Sequence, residues 1–541
     1  MPTTPASLHP AWLDALKNSE TYPHPVSEIR MTETHISWVA LTGEWAYKLK
    51  KPVDFGFVDF STLELRRAAC HEEIRLNRRT APELYDEVVT LTEERSGPRF
   101  AGSGPVLEYA VRMRQFAQED MLDQCLARGQ LTELIIDTLA DEVADLHRQA
   151  AVASIPSPFG QPDAIHAAVQ ACLDHLLKST LSDSLRTQFE RLNEWTNAEW
   201  IRLHETFVER KRQGRVRECH GDLHLGNLVL YRGRPTLFDC LEFNPDLRWI
   251  DVISDVAFLV MDLFDRGAAP LAWRVLNEWL QQTGDYDGLC VLKYYMAYRA
   301  LVRAKVAAIR LNQPDLTSGD VQHQQQLLLG YGALASRLTR PGQPALLIMH
   351  GVSGSGKSFI AGQLAASLGA IRIRSDVERK RLFGVWPPTE TSLAVPPELY
   401  SPETTLRTYA RLRTLTRAIV GAGDSVIVDA TFLKSSDRLS FVALANELGI
   451  PIVIVVCDAP EAVLQERVQS RLSHRQDPSD ADITVLKQQL ASREPLVAAE
   501  AAISVSVSTA ETNVESILPA IRTRIQQASC PSVGQTSNPP N

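Results

Sequence analysis

Two stretches of this chain bring together the residue types that phosphate chemistry requires. In the first, His220-Gly-Asp222-Leu-His-Leu-Gly-Asn227 places an acid and an amide five residues apart, and a further acid follows in Leu237-Phe-Asp239-Cys-Leu-Glu242. The pattern H-x-D-x-x-x-x-N offers a carboxylate, Asp222, to orient or deprotonate an acceptor hydroxyl, and an amide, Asn227, to bind Mg²⁺. Asp239, at the end of the next strand, is suited to the same metal. In the second stretch, Gly351-Val-Ser-Gly-Ser-Gly-Lys-Ser358 fits G-x-x-x-x-G-K-[ST] in full. Gly351, Gly354 and Gly356, with Ser355 among them, let backbone N–H groups curl around phosphate oxygens, and the helix that follows adds the partial positive charge of its N-terminus. Lys357 would reach the β and γ phosphates and Ser358 would ligate Mg²⁺.

The elements that must hold the second stretch are readable. An apolar strand, Ala345-Leu-Leu-Ile-Met, precedes it and a helix from Phe359 to Leu368 follows. Ile371-Arg-Ile-Arg-Ser-Asp376 is a strand ending in an acid, and Arg379 completes D-x-x-R, one helical turn on. The acid can receive a hydroxyl proton while the guanidinium holds an anion. Ser425-Val-Ile-Val-Asp429 is another strand ending in an acid, suited to the metal's water shell. Arg467, Arg471 and Arg475 recur every four residues along a helical stretch, a spacing that suits either a phosphate-closing lid or a solvated face. No Asn-Lys-x-Asp follows, so a guanine-specific GTPase is not indicated. From about 345 to 525 these residues resemble the small P-loop kinases of metabolites and nucleic-acid ends, such as gluconate, shikimate and polynucleotide 5′-kinases. The resemblance implies Asp376 as base, Arg379 as substrate or phosphate holder, and Arg467 and Arg471 as lid residues.

The first stretch sits between short strands around 217–220 and 235–239. Upstream, His35–Leu41 and Trp45–Lys50 form a hairpin across Thr42-Gly43-Glu44, and Ser61-Thr-Leu-Glu64 has the form of a capping box opening a helix to about Arg79. Another strand covers 105–114, helices run from 120 to about 210 with a break at Pro156–Pro158, and helices resume from Trp249 to about Leu338. The wording HGDLHLGN resembles the aminoglycoside phosphotransferase and choline kinase branch of the protein-kinase-like fold. That resemblance implies that one acid of the pair Asp251 and Asp255 anchors the loop backbone. It also implies a strand lysine on the ATP phosphates, paired to a helix glutamate. Lys48 with Glu73 fits this role; Lys50, of the same strand parity, Lys51 and Glu72 remain alternatives. His220 reads as a packed structural residue. Asp54-Phe-Gly56 precedes the loop, whereas the metal-binding acid must follow it.

Length and composition bound the rest. The chain has 541 residues, 44% hydrophobic and 22% charged, with a net charge of -9, a pI near 5.9 and a mean hydropathy of -0.13. That excludes a disordered or collagen-like chain. The acidic balance and the lack of a basic stretch interleaved with aromatics argue against nucleic acid as a partner. No apolar run is long enough to span a bilayer, the N-terminus has no secretory pattern, and the eight cysteines are scattered with no Cys-x-x-Cys. A reduced, cytoplasmic chain with no membrane partner is expected.

The fold class is therefore two-domain: an α+β protein-kinase-like domain of the aminoglycoside phosphotransferase/choline kinase type, then an α/β P-loop NTPase domain with a parallel sheet. The expected boundaries are 1–338 (N-lobe about 30–112, helical C-lobe about 113–338), a Pro/Gly linker at 339–344, 345–526, and a disordered tail at 527–541. The whole resembles a bacterial family of fused proteins joining an aminoglycoside-phosphotransferase-like domain to an AAA-type small-kinase ATP-binding domain. It implies two ATP- and Mg²⁺-dependent sites transferring phosphate to hydroxyl groups of small polar metabolites. The alternatives are a nucleotide-binding regulator with one inactive domain and a nucleic-acid 5′-end kinase in the second half. Acceptors and oligomeric state are not encoded in these patterns.

Overall fold

The computed structural model describes residues 9–56, 58–313, 316–387, 397–474, 481–509 and 514–529. The chain forms two compact units, one of Met1–Lys178 with Thr196–Asp262, the other of Ser179–Trp195 with Leu263–Asn541.

The first unit opens with strands β1 (Arg30–Glu33), β2 (Ser37–Leu41) and β3 (Trp45–Lys50), helix α1 (Leu63–Asn77), then β4 (Tyr85–Glu94), β5 (Gly97–Phe100) and β6 (Val106–Arg114). The strands form one antiparallel sheet in the order β1-β2-β3-β6-β4-β5. Both faces are covered, and β3 shows why. Tyr47 and Leu49 join Leu16, Tyr22 and Phe100 on one side, while Ala46 packs with Cys70 and Ile74 of α1 on the other. Side chains alternate along a strand, so Lys48 and Lys50 share the side of Ala46 and are delivered beneath α1. Helix α1 begins one residue later than the capping-box reading. Its N-cap is Thr62, which accepts from Leu65 N at 3.3 Å, while Ser61 N bonds Asp59 Oδ1 at 2.9 Å. Strands β1, β4 and β5 were not read from the sequence.

Helices α2 (Leu122–Ala127), α3 (Glu133–Gln149), α4 (Pro162–Lys178) and α5 (Asp183–Arg212) follow, then β7 (Val216–Glu218), β8 (Leu228–Tyr231), β9 (Arg234–Leu237), β10 (Trp249–Asp251) and α6 (Val252–Asp265). The stretch from Trp249, expected to be helical from its start, first pairs as β10 with β7. β8 and β9 form a hairpin. The loop 219–227 thus lies between β7 and β8, and Asp239 lies just beyond β9.

The second unit contains α7 (Ala269–Thr283), α8 (Leu289–Leu311) and α9 (Ser318–Leu338). It continues through β11 (Leu346–His350), α10 (Lys357–Leu368), β12 (Ala370–Arg374), α11 (Ser375–Leu382), α12 (Pro402–Gly421), β13 (Ser425–Asp429) and α13 (Ser435–Leu448). The last elements are β14 (Ile452–Asp458), α14 (Glu461–His474), α15 (Ile483–Ser492), α16 (Ala498–Ala502), β15 (Ser504–Ser508) and α17 (Val514–Ser529). Its sheet is parallel, in the order β12-β13-β11-β14-β15. Leu347, Met349, Ile427, Val453 and Val455 pack against Ile360 and Leu364 of α10 and Ile521 of α17, leaving the strands buried on both faces.

Helix α7 belongs to this unit in detail. Asn277 donates through Nδ2 to Ala370 O at 3.0 Å and accepts from Arg372 N at 2.6 Å, so its amide satisfies the edge of β12 as a strand would. Glu278 pairs with Arg372 at 2.7 Å. The compact units therefore divide the chain elsewhere than the 339–344 breaker cluster. Helix α17 continues to Ser529, into the stretch expected as a disordered tail from 527; residues 530–541 lie outside the described ones. Among the described residues, no helix is long and apolar enough to cross a membrane, and seven cysteines are free thiols.

Candidate active sites

In the first unit, alternation on β3 and the turn after β9 bring three predicted residues into contact. Lys48 Nζ lies 2.9 Å from Glu73 Oε1 and 2.5 Å from Asp239 Oδ1. Lys50 is fully buried; its Nζ lies 2.5 Å from Glu73 Oε2 and contacts Glu242 Oε1. Lys51 turns away to Glu33 at 2.5 Å. Glu72 faces outward, to Arg75 at 2.7 Å and Arg248 at 2.6 Å. Of the candidates, only Lys48 touches both Glu73 and Asp239. Burial pushes the Glu73 carboxyl up, but Lys48 and Lys50 outweigh it and hold it at about 2. Burial opposes the charge on Lys48, yet Asp239 and Glu73 raise its pKa well above the ordinary lysine value. Burial lifts the Glu242 carboxyl above its usual range, with Lys50 pulling against it.

The loop between β7 and β8 positions the second group. Asn227 donates through Nδ2 to Asp222 Oδ2 and to Asp222 O, both at 2.9 Å. His224 Nδ1 accepts from Gly226 N at 3.1 Å, which fixes its proton on Nε2, 3.4 Å from Asp222 Oδ2. Asp255 anchors the loop: its Oδ2 accepts from His220 N at 3.0 Å, its Oδ1 accepts from Gly221 N at 2.9 Å, and His147 Nε2 lies 3.1 Å from Oδ2. Burial pushes the Asp255 carboxyl up, and the His147 bond brings it down to about 2. Asp251 serves a different purpose, gripping Arg210 at 2.6 and 2.7 Å. His220 is buried, with Nε2 2.9 Å from Phe238 O. Gly221 has φ of 88°, and a Cβ there would stand 2.9 Å from Leu247 O. Asp239 itself has φ of 60°, unusual for a residue with a side chain, and its N–H donates to Tyr85 Oη at 3.1 Å.

Several of these groups were not read from the sequence. Asp262 accepts from Leu225 N at 2.9 Å, Asn77 Oδ1 accepts from Cys240 N at 2.8 Å, and Glu242 sits in the buried charge cluster. Glu242 carried a signal, an acid one short step past Asp239; Asn77, Tyr85 and His147 carried none. His147, Cys219 and Asp255 also lie close enough to hold a metal, but both Asp255 oxygens already serve the loop.

In the second unit the glycine-rich loop joins β11 to α10. Gly351, Gly354 and Gly356 have φ of 150°, 80° and 78°. At Gly354 a Cβ would stand 2.7 Å from Leu464 O, so only glycine fits that turn. Lys357 Nζ donates to Val352 O at 2.7 Å. Ser355 is buried, and its carbonyl accepts from Thr509 Oγ1 at 2.9 Å. A cavity of about 940 Å³ opens beside the loop, lined by Ser358, Asp376, Arg379, Asp429 and Arg467 among others. Asp429 and Arg374 end adjacent strands in register. Arg374 Nε stands 3.6 Å from Asp429 Oδ2, which has no hydrogen-bond partner. Arg379 reaches Leu399 O and Thr405 Oγ1 at 3.4 Å and lies 5.0 Å from the Tyr400 ring.

Arg467 is not a solvated face. It donates to Thr509 Oγ1 at 2.9 Å and Thr509 O at 3.0 Å, with Gly354 O at 3.4 Å. The side chain of Arg471, and Arg475 altogether, lie outside the described residues. Gln489, which accepts from Ser353 N at 2.7 Å, was not read from the sequence. Burial pushes His350, at the end of β11, down to about 4.

Both sites fit Mg²⁺. Asp239 with Asn227 in the first unit, and in the second the Ser358 hydroxyl with the Asp429 oxygen that takes no hydrogen bond and faces Arg374 at 3.6 Å, are oxygen donors, the set this hard cation prefers.

Residues 68–292 match the model of the phosphotransferase enzyme family, and 346–496 match an AAA domain model. An uncharacterised protein of Mycobacterium tuberculosis, Rv2004c, is 30% identical over 463 residues, covering 84% of this chain and 89% of that one. A counterpart in Mycobacterium bovis matches equally. Among solved structures, a putative kinase from Chloroflexus aurantiacus is 21% identical over 34% of this chain and 100% of its own, with a TM-score of 0.29. A choline/ethanolamine kinase family protein from Mesorhizobium loti is 12% identical over 57% of this chain and 93% of its own, with a TM-score of 0.34.

Proposed function

This chain belongs to the family of fused proteins in which a phosphotransferase-family domain precedes an AAA-type P-loop domain, and from that premise we propose that it is an ATP-dependent phosphotransferase with two sites. Each would act on hydroxyl groups of small polar metabolites. The observation that carries the reading is the contact set of Lys48, Glu73 and Asp239, tied through the bond of Phe238 N to Asn227 O at 3.1 Å to the loop that holds the Asp222–Asn227 pair.

In the first unit, Lys48 holds phosphate oxygens of ATP, kept charged and aimed by Glu73. Asn227 and Asp239 would hold Mg²⁺, which when bound neutralises phosphate charge and aligns the γ-phosphoryl group. Asn227 and His224 fix the Asp222 carboxylate. Asp222 accepts the proton of the acceptor hydroxyl as that oxygen bonds to the γ-phosphorus and the bond to the β-phosphate oxygen breaks, leaving ADP. Asp255 and Asp262 keep the loop still, so little of the barrier is spent on positioning.

In the second unit, the loop amides and Lys357 would take the β and γ phosphates, and Ser358 and Asp429 would hold Mg²⁺. Asp376 would serve as base, and Arg379 would hold the acceptor or the transferred group. Arg467, which ties α14 to the loop, would respond to phosphate. Small hydroxyl compounds are the proposed partners, and nucleic acid is not.

The test is radiolabelled-ATP transfer by the intact chain and by Asp222→Ala and Lys357→Ala variants across a library of hydroxyl metabolites. Each variant should remove one set of products. If neither variant changes any transfer, the reading is wrong.

A further inference from the structure

The first unit holds one more ammonium group than a nucleotide site needs. Lys50 is completely buried, so it cannot touch ATP. It lies between Glu73, at 2.5 Å, and Glu242, whose side chain is 4% exposed. Glu73 divides its two oxygens, Oε1 to Lys48 and Oε2 to Lys50. The cluster as a whole sets two ammonium groups against the three carboxylates of Glu73, Asp239 and Glu242.

We infer that Lys50 and Glu242 are positioning residues for this nucleotide site, fixing Glu73 and the segment behind Asp239 so that Lys48 can turn to phosphate while Asp239 takes the metal. The inference rests on the reading that this unit binds Mg²⁺·ATP.

Three features support it. First, a buried ion pair is seldom more stabilising than apolar residues of the same volume, so what this one supplies is orientation. Second, Asp239 holds a left-handed backbone that costs free energy for any residue with a side chain and persists only when fixed from both sides. Tyr85 Oη takes its N–H. Beyond it, Asn77 takes Cys240 N at 2.8 Å, Arg248 donates to Glu242 O at 3.1 Å, and Lys50 grips the Glu242 side chain. Third, the same ties run back to α1, because Asn77 Nδ2 donates to Glu73 O at 2.9 Å. Helix α1 and the Asp239 segment are thus joined through the Asn77 amide, through Lys48 between Glu73 and Asp239, and through Lys50 between Glu73 and Glu242. Without Lys50, Glu73 and Glu242 would compete for Lys48 and draw it inward, away from phosphate.

The experiment uses the full chain carrying Lys357→Ala, so that only the first unit reports, with calorimetry of a non-hydrolysable ATP analogue and Mg²⁺. Lys50→Met should weaken binding about tenfold or more. Lys50→Met with Glu242→Gln removes one charge of each sign and should bind about threefold or more tighter than Lys50→Met alone. Glu242→Gln should raise the Mg²⁺ needed for half-saturation about tenfold while leaving metal-free nucleotide affinity unchanged. A residue that merely supports the fold would weaken both alike. Should Lys50→Met fail to fold by circular dichroism, the metal-against-nucleotide split of Glu242→Gln decides alone. Unaltered binding in Lys50→Met, no recovery in the double variant, or equal weakening with and without metal in Glu242→Gln overturns the inference. If the Lys357→Ala chain binds no nucleotide at all, the function proposed for this unit falls first.

Discussion

On the proposed reading, the two units would reach a phosphate group by opposite routes. In the first, the groups come from separate elements: Lys48 from β3, Glu73 from α1, Asn227 from the loop before β8 and Asp239 from beyond β9. They meet only because the sheet, α1 and the loop are each pinned by buried polar bonds. In the second, backbone amides of one eight-residue loop form most of the cradle, and β11 and α10 hold it from either end. A site assembled from distant side chains is exposed to the loss of any one charge. A site built from backbone is exposed mainly to the loss of a glycine or of its helix.

The largest expected effects test this division. Asp222→Ala should lower transfer at the first site about 1,000-fold with less than about threefold change in ATP affinity, since a proton acceptor acts on the chemical step. Lys357→Ala should instead cost the second site about 100-fold in nucleotide affinity. Steady-state transfer and calorimetry separate the two outcomes, and matching losses of affinity in both variants would break the comparison.

Backbone strain gives the next test. Gly354→Ala places a Cβ 2.7 Å from Leu464 O at φ of 80°. It should cost about 2 kcal/mol of stability and about tenfold in nucleotide affinity at the second site, leaving the first unchanged. Gly221→Ala, with its Cβ 2.9 Å from Leu247 O, should instead lower transfer at the first site by displacing Asp222, with little change in ATP affinity and the second site unchanged.

Acid should also distinguish the units. Glu73 and Asp255 titrate at about 2 in the fold, below their ordinary 4.5 and 3.8. Their stabilisation is complete above about pH 4.5 and disappears as pH falls toward 2. His350, at about 4 against an ordinary 6.5, withdraws its contribution earlier, as pH falls from 6.5 through 4. Burial lifts Asp424 from 3.8 to about 6, which opposes His350: its contribution is present at low pH and lost as pH rises through 6. The two shifts, from 6.5 to about 4 and from 3.8 to about 6, nearly cancel, so hydrogen exchange at β11 should change little between pH 6.5 and 4, while β3 loses protection only below about pH 4.5. Asp424→Asn should expose a loss of protection at β11 in that window, and His350→Gln a gain. The smallest effect is expected from Asn277→Ala, which leaves two polar groups of β12 without their partner. It should lower the melting temperature of the second unit by a few degrees, on the order of 1 kcal/mol.

The same contrast explains what could be read from the sequence. The glycine loop, the strand ending at Asp429 and the Asp222–Asn227–Asp239 set were legible because local spacing fixes each; the strand expected to end at Asp376 stops at Arg374, and Asp376 stands in the first turn of α11. The parallel sheet was legible because its central strands β11, β13 and β14 are short apolar runs. Lys48 could not be separated from Lys50, since both share one face of β3. Their difference lies in what Glu242 and Asp239 place opposite them, and that depends on the return of the chain almost two hundred residues later. Strands β4 and β5 were missed because their mixed polar residues, as in Glu93-Glu94, dilute the alternation. Asn77, Tyr85 and Asp262 act through bonds to backbone, which leave no pattern. Arg467 was left between lid and solvated face, and its bonds to Thr509, far along the chain, leave no local pattern.

The amide of Asn277 has a practical corollary for anyone dissecting this protein. A fragment cut at the Pro/Gly breaker would discard α7 and leave Ala370 O and Arg372 N of the outermost strand bare, a ready template for another copy to pair with. Soluble expression of the P-loop half should therefore begin before Ala269, not after Pro344.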